Sequence, residues 1–114
     1  MIRFYGLKNC DTCKKALKAL EAAGNEITVC DVRADGVPET ELASWLAELG
    51  SETLVNKRST TWRGLSEADR AAASGENGAL RLLLANPTLL KRPVTIADGT
   101  VRVGWSRAVQ DELL

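Results

Sequence analysis

Two cysteines separated by two residues carry the strongest chemical signal in the sequence. Cys10 and Cys13 stand where a short turn gives way to a helical pattern. At the N-terminus of a helix, unpaired N–H groups and the positive end of the helix dipole stabilise a thiolate. Cysteines in that position have a lowered pKa, and nearby lysine side chains lower it further. The spacing therefore predicts a nucleophilic thiol that needs no histidine to activate it.

The order of the two cysteines predicts their roles. The first lies at the mouth of the helix, where the N–H groups point outward, and the second lies one turn further in. We therefore predict Cys10 as the nucleophile and Cys13 as a candidate resolving thiol, with an inert buried pair as the alternative. Thr12 can offer its hydroxyl and N–H to the thiolate, or it can simply cap the helix.

The sequence contains three cysteines but no histidine. Without an imidazole, Ser-His and Cys-His catalysis are excluded and the commonest metal ligand is missing. One cysteine pair plus Cys30 does not make a closed structural zinc site, so we expect no bound metal. Cys30 stands in the middle of a predicted strand, where we interpret it as a small buried hydrophobic residue.

The elements that position the cysteine pair follow from hydrophobic periodicity and turn residues. Residues 2–5 and 27–30 are predicted as strands, and residues 12–23 between them have the periodicity of a helix. Two strands joined by such a helix form a right-handed βαβ unit with parallel strands. Near the other end, an Asp-Gly pair between residues 94–97 and 100–103 predicts a two-residue hairpin, which a final helix follows.

The middle of the chain is predicted to be mostly helical. Helical patterns cover residues 38–49, 66–73 and 79–85, and Gly75 to Gly78 are predicted to interrupt the chain between the last two. Residues 53–64 are predicted to form a polar, basic loop. The order β-α-β, helices, β-β-α predicts an α/β protein with a thioredoxin-like fold. Its four-stranded mixed sheet is flanked by helices, with a helical insertion between the βαβ unit and the C-terminal ββα unit. We predict one domain over residues 1–114.

Composition bounds the partners and the location. Fifteen basic and fifteen acidic side chains cancel, which argues against a chain-wide footprint for nucleic acid or anionic lipid. No apolar run approaches the ~20 residues that span a bilayer, and the first residues do not form the apolar core of a signal peptide. We therefore expect a cytoplasmic protein that contacts neither nucleic acid directly nor a membrane. We expect a monomer, because no helix shows an extra apolar face.

Four segments of the chain resemble the ArsC family, which takes in arsenate reductases, YffB-type proteins and Spx regulators. Residues 9–16 contain the core Cys-Asp-Thr-x-Lys-Lys-Ala and are similar to the family's cysteine loop, closest to the YffB type. Residues 56–63 resemble that type's central loop. Residues 89–94 match the family's Arg-Pro segment, and residues 103–105 resemble the ending of YffB and Spx proteins.

The resemblance implies roles for several residues. Cys10 matches the cysteine that attacks arsenate in true reductases and is then attacked by glutathione. Arg92 matches an arginine that holds the oxyanion, and Pro93 is implied beside the cysteine loop, where related folds have a cis bond. Two further arginines of the glutathione-coupled arsenate reductases are replaced here by Asn56 and by Gly104-Trp105. Because a trianionic oxyanion needs several fixed donors, these replacements weaken the case for arsenate.

Three functions follow from these observations and the resemblance. The leading hypothesis is a thiol–disulfide reductase that binds no cofactor, uses glutathione as co-substrate, and is reduced by glutathione or by a glutaredoxin- or thioredoxin-type protein. The second is arsenate reduction proper, and the third is a Spx-like redox-sensing regulator that binds RNA polymerase. The predicted catalytic residues are Cys10, Cys13 and Arg92. The predicted substrate-binding residues are Lys8, Asn9, Thr12, Asn56, Lys57 and Pro93.

Overall fold

The computed structural model describes all 114 residues, and a four-stranded sheet holds the two ends of the chain together. The strand order is β2-β1-β3-β4. The bounds are β1 Ile2–Gly6, β2 Ile27–Asp31, β3 Val94–Ala97 and β4 Thr100–Val103. The β1 strand pairs in parallel with β2 and antiparallel with β3, and β3 pairs antiparallel with β4. This mixed sheet with its helices confirms the predicted thioredoxin-like α/β fold.

The chain forms two compact units. The first, called the sheet unit here, comprises Met1–Asp35 and Arg92–Leu114, and the second, the helical unit, comprises Gly36–Lys91. Every regular element of the helical unit is a helix, and the unit lies in sequence between β2 and β3. The predicted helical insertion between the βαβ and ββα segments is therefore confirmed.

The first helix of the sheet unit, α1 (Asp11–Ala22), packs its apolar stripe on β1. Cys13, Ala16 and Leu20 recur at helical spacing and are buried with Phe4 in one cluster. Burying such a stripe is what stabilises a helix of this length, because short isolated helices are marginal in water. The second cysteine is thus part of the core that fixes the helix on the sheet.

The hairpin and the last helix have the local chemistry that the sequence predicts. Asp98 and Gly99 have φ angles of 51° and 77°, so both residues of the turn are left-handed. Such a turn matches the twist of the flanking strands and favours the Asp-Gly pair. The last helix of the unit, Arg107–Leu113, begins after Ser106, whose Oγ accepts a hydrogen bond from Val109 N at 3.3 Å.

The helical unit contains five α-helices and one 3₁₀ turn. Their bounds are α2 Glu39–Leu49, α3 Ser51–Leu54, α4 Thr60–Arg63, α5 Glu67–Ala72 and α6 Glu76–Ala85, with the 3₁₀ turn at Pro87–Leu89. The helix of the sheet unit at Arg107–Leu113 is therefore α7. Leu42, Trp45 and Leu46 of α2 and Leu82 and Leu83 of α6 are fully buried. None of the seven α-helices has both the length and the apolar character needed to span a bilayer.

Two details of the helical unit differ from the prediction. The expected loop over residues 53–64 holds the end of α3 and all of α4, because Ser59 Oγ accepts a hydrogen bond from Trp62 N at 3.1 Å and caps a new turn. Helix α6 begins at Glu76, three residues before the predicted start. Gly78 lies inside the helix, where an added Cβ would come within 2.0 Å of the Ala72 carbonyl oxygen. Gly78 therefore does not break the helix. A glycine is needed there because the helix backbone passes close to the Ala72 carbonyl oxygen.

Candidate active site

Cys10 is the N-cap residue of α1 and lies where β1 leads into that helix. Its backbone is extended, with φ −95° and ψ 117°. Its carbonyl oxygen accepts the first helical hydrogen bond from Lys14 N at 3.0 Å, and its own N–H reaches Leu7 O at 3.3 Å. The Cys10 side chain is half-buried at the N-terminus of α1. The thiol therefore stays available at the positive end of the helix.

Opposing effects set the pKa of the Cys10 thiol. Partial burial raises it, but hydrogen bonds from the Cys13 backbone N–H and the Cys13 thiol lower it. The guanidinium of Arg92 adds a further hydrogen bond and a positive charge. The stabilising contacts outweigh the burial, so the pKa of Cys10 lies below its ordinary value. The structure thus provides an activated thiol without histidine.

Cys13 differs from Cys10 although the two are three residues apart. Only 3% of Cys13 is exposed. Burial, together with the neighbouring Cys10 thiolate, raises the pKa of Cys13 to about 11. Gly6 at the end of β1 makes room for it, because an added Cβ there would lie 2.9 Å from Cys13 Sγ. Cys13 is therefore a neutral hydrogen-bond donor to Cys10 at neutral pH.

Arg92 and Pro93 begin the second segment of the sheet unit and lie directly before β3. The peptide bond between them is cis, and Pro93 O accepts a hydrogen bond from Gly104 N at 2.8 Å. Gly104 has a φ of 84°, which favours glycine. This connection fixes the segment just ahead of β3, from which the Arg92 guanidinium reaches the Cys10 thiol.

The thiol faces a cleft of about 470 Å³ that is rich in positive charge. Lys8, Arg33 and Arg92 line it together with Asn9 and the single carboxylate of Asp31. Asp31 is held in place, since its Oδ1 accepts the backbone N–H groups of Arg33 and Ala34 at 2.9 Å each. These bonds, partial burial and the nearby Lys8 set its pKa, which lies below the ordinary value. The cleft therefore carries a net positive charge and suits an anionic ligand.

Arg33 is the cation of this lining that the sequence analysis missed. It follows β2, whereas the cysteine loop follows β1, and these two strands are parallel neighbours. Loops after the carboxyl ends of adjacent parallel strands lie at the same edge of the sheet. That rule, applied to the predicted βαβ unit, would have placed Arg33 near Cys10.

Sequence and structure comparisons show the family of the chain and support its fold. The sequence model described as "ArsC family" matches residues 5–113. The chain belongs to the ArsC family. A relative from Haemophilus influenzae, described as "uncharacterized protein", is 44% identical over 93% of this chain and 92% of its own length.

Two solved structures are also similar to this ArsC chain. One, described as "YFFB (PA3664) protein", has a TM-score of 0.92 and 36% identity, and the match covers 100% of this chain and 99% of that one. The other is a solution structure of an arsenate reductase (ArsC) related protein from Brucella melitensis. It has a TM-score of 0.76 and 36% identity, and the match covers 97% of this chain and 92% of that one.

The remaining predicted binding residues of the ArsC chain are not among the residues that line the cleft. Thr12 is exposed on the first turn of α1. Asn56 and Lys57 belong to the helical unit and have local partners there. Asn56 Oδ1 accepts a hydrogen bond from Arg58 N at 3.0 Å, and Lys57 Nζ lies 3.0 Å from a Glu52 carboxylate oxygen. A binding role for these three residues stays a prediction.

The third cysteine has no features of a nucleophile. Cys30 lies on β2, where burial and the negative charges of Asp35 and Asp31 raise its thiol pKa. At neutral pH this thiol is protonated and unreactive. No group of three or more cysteine, aspartate or glutamate side chains converges in a way that could hold a metal ion.

The raised pKa of Cys13 predicts a pH-dependent contribution to stability. Folding favours the neutral thiol, so the contribution is complete below pH 9 and is lost as the pH rises towards about 11. The test compares the free energy of unfolding of the Cys10→Ser variant with that of the Cys10→Ser/Cys13→Ala double variant. We expect the single variant to have the higher value, and we expect the difference to shrink by about 1–2 kcal/mol over that pH range. Serine at position 10 removes the titrating neighbour from both proteins. Urea unfolding at pH 8 and pH 11 measures the margin, and a constant margin would contradict the assignment.

Proposed function

We propose that this ArsC-family protein is a thiol–disulfide oxidoreductase that uses glutathione, with Cys10 as its nucleophile. The observation that carries the proposal is the lowered pKa of Cys10 beside Arg92, at the wall of a positively charged cleft. Glutathione carries two carboxylates and a thiol, which match the positive charge and the reactive sulfur of that cleft. The reaction needs a reduced glutathione pool, so we place it in the cytoplasm.

The proposed reaction has two exchange steps. In the first, the Cys10 thiolate attacks the glutathione sulfur of a mixed disulfide, the S–S bond breaks, and the second thiol leaves as a thiolate that takes a proton from water. In the second, the thiolate of another glutathione attacks the Cys10–glutathione disulfide, which frees Cys10 and forms oxidised glutathione. The sum converts one mixed disulfide and one glutathione into a free thiol and one glutathione disulfide.

The state of Cys13 supports external glutathione as the second attacker. A thiol with a pKa of about 11 is almost entirely protonated at neutral pH and is a slow nucleophile. Forming the mixed disulfide removes the negative charge of Cys10, which relieves one cause of that raised pKa. Burial, the largest cause, remains. We therefore propose Cys13 as a hydrogen-bond donor to the thiolate, with the intramolecular disulfide as the slower route.

Arsenate reduction is a second candidate because the same cleft suits an oxyanion. Arg92, Arg33 and Lys8 supply three cations around Cys10. A guanidinium binds an oxyanion through paired hydrogen bonds, and two of these three cations are arginines. The solved relative from Brucella melitensis is described as arsenate reductase related. Arg33 supplies an arginine to the lining of the cleft although the expected positions hold other residues.

One assay separates the two candidates. The protein is mixed with glutathione, glutathione reductase and NADPH. One of two substrates is then added, either arsenate or the mixed disulfide of glutathione and 2-mercaptoethanol, and the oxidation of NADPH is followed. We expect protein-dependent turnover with the mixed disulfide and none with arsenate. Turnover of arsenate alone would reverse the ranking. Rates equal to the protein-free rates with both substrates would refute the proposed function.

A further inference from the structure

A second cleft adjoins the Cys10 cleft and has a different character. It has a volume of about 230 Å³ and is lined almost entirely by apolar atoms. Phe4 of β1, Leu17 of α1 and Val29 of β2 line it together with the buried Cys13. Val29 remains 54% exposed, and it is the one exposed large apolar residue that lies in a strand. The reaction proposed above leaves this apolar surface without a role.

The two clefts share part of their lining. Leu7, Lys8 and Asp31 line both of them, so the cysteine loop forms the boundary that they share. Lys8 and Lys14 stand at the edge of the apolar cleft, where their charged ends can stay in water while their methylene stems cover apolar surface. A ligand that spans both clefts would therefore combine negative charge with an apolar group.

We infer that the apolar cleft binds the apolar thiol half of a glutathione mixed disulfide, while the glutathione half occupies the positively charged cleft. This inference rests on the proposed function and names its substrate class. The nucleophile attacks the glutathione sulfur, so the departing thiol extends beyond that sulfur and along the cysteine loop. The residues of the cysteine loop that line both clefts lie between the charged cleft and the apolar one. Mixed disulfides of glutathione with aliphatic or aromatic thiols are the substrates that fit this arrangement.

Thioether analogues test the cleft without any chemistry. S-hexylglutathione and S-methylglutathione carry the same charges and differ only in the apolar group, and neither can be reduced. By titration calorimetry we expect the wild-type protein to bind the hexyl compound about tenfold more tightly, since burying a few methylene groups contributes that much. Equal dissociation constants would overturn the inference.

Matched variants on β2 locate the effect. Val29→Asp puts a carboxylate in the cleft, and we expect the ratio of the two dissociation constants to fall to about two. Thr28→Asp places the same carboxylate one residue away, on the opposite face of the strand, and we expect it to keep the wild-type ratio. Both positions are exposed, and circular dichroism checks that both variants fold. A ratio that falls equally in both variants, or in neither, would also overturn the inference.

Turnover distinguishes this inference from the proposed function. In the NADPH-coupled assay we expect the wild-type protein to reduce a hexanethiol–glutathione disulfide with about tenfold higher kcat/KM than the 2-mercaptoethanol conjugate. Tighter binding of the hexyl thioether without turnover of either disulfide would support the cleft and refute the thiol–disulfide reaction. Turnover of both disulfides at equal kcat/KM, with equal thioether binding, would support the reaction and refute the cleft.

Discussion

Cys10→Ser is expected to abolish turnover of a glutathione mixed disulfide, lowering kcat/KM by about 10³-fold or more. The reason is chemical, since a serine hydroxyl is not ionised at neutral pH and cannot form the mixed disulfide. Serine keeps the size and hydrogen-bonding capacity of the side chain, so the N-cap geometry of α1 should survive. The NADPH-coupled assay measures the loss, and mass spectrometry of the wild-type protein incubated with the substrate should show one glutathione on Cys10.

The other two cysteines supply matched controls. Cys30→Ser is expected to keep kcat/KM within about twofold, because the Cys30 thiol is neutral and lies on β2 outside the lining of the Cys10 cleft. Cys13→Ser retains a hydroxyl that can donate to the Cys10 thiolate, so we expect it to keep most of the turnover. Activity that survives Cys10→Ser would contradict the assignment of the nucleophile. Loss of activity in Cys13→Ser, with an intact fold, would replace glutathione by Cys13 as the second attacker.

The sheet and its helices could be predicted because local signals there agree with one another. The Asp98-Gly99 turn adopts left-handed angles at both residues, and the β-prone runs on either side of it, residues 94–97 and 100–103, have the bounds of the observed strands. Helix α1 begins at Asp11, only one residue before its predicted start. The prediction was this close because the buried stripe of the helix has clear helical spacing. Local pattern and tertiary packing require the same conformation in these segments, which is why the sequence alone was sufficient.

The helical unit shows where local signals mislead. Gly78 suggested a break, but the packing of α6 against the Ala72 carbonyl requires a residue without a Cβ. Ser59 was one polar residue among many in a presumed loop, and only its contact with Trp62 N shows that it begins a helix. Both features depend on contacts between specific atoms in the folded chain, and a sequence pattern does not reveal these contacts. Propensity alone therefore gives the wrong boundary at each place.

The candidate site was predictable in its reacting atom and less so in its surroundings. The position of Cys10 follows from a motif and a helix start, whereas Arg33 enters through the adjacency of two parallel strands. The apolar cleft depends on Val29, whose neighbours in space come from β1 and α1. A one-dimensional pattern records which residues alternate along a strand and leaves open which of them line a cleft.

Arg92→Met is expected to raise the pKa of Cys10 and to lower kcat/KM at pH 7 by about tenfold or more. The substitution removes a hydrogen bond and a positive charge that both favour the thiolate, and leaves the burial that opposes it. Methionine fills much of the volume of the arginine stem. Arg92→Lys restores the charge without the guanidinium fork, so we expect its activity to lie between those of the wild type and Arg92→Met. Arg107→Met, at an exposed position of α7, serves as the control and should behave as wild type.

The pH dependence of alkylation separates this electrostatic role from a structural one. In each protein the rate of Cys10 alkylation by iodoacetamide rises with pH as the thiolate forms, and its midpoint reports the pKa of the thiol. Because Arg92 lowers that pKa, the midpoint should move to higher pH in Arg92→Met and less far in Arg92→Lys. Above both midpoints Arg92→Met should react at least as fast as the wild type, since a thiolate of higher pKa is the better nucleophile. A rate that stays low at every pH with an unmoved midpoint would mean that Arg92 acts through the fold alone.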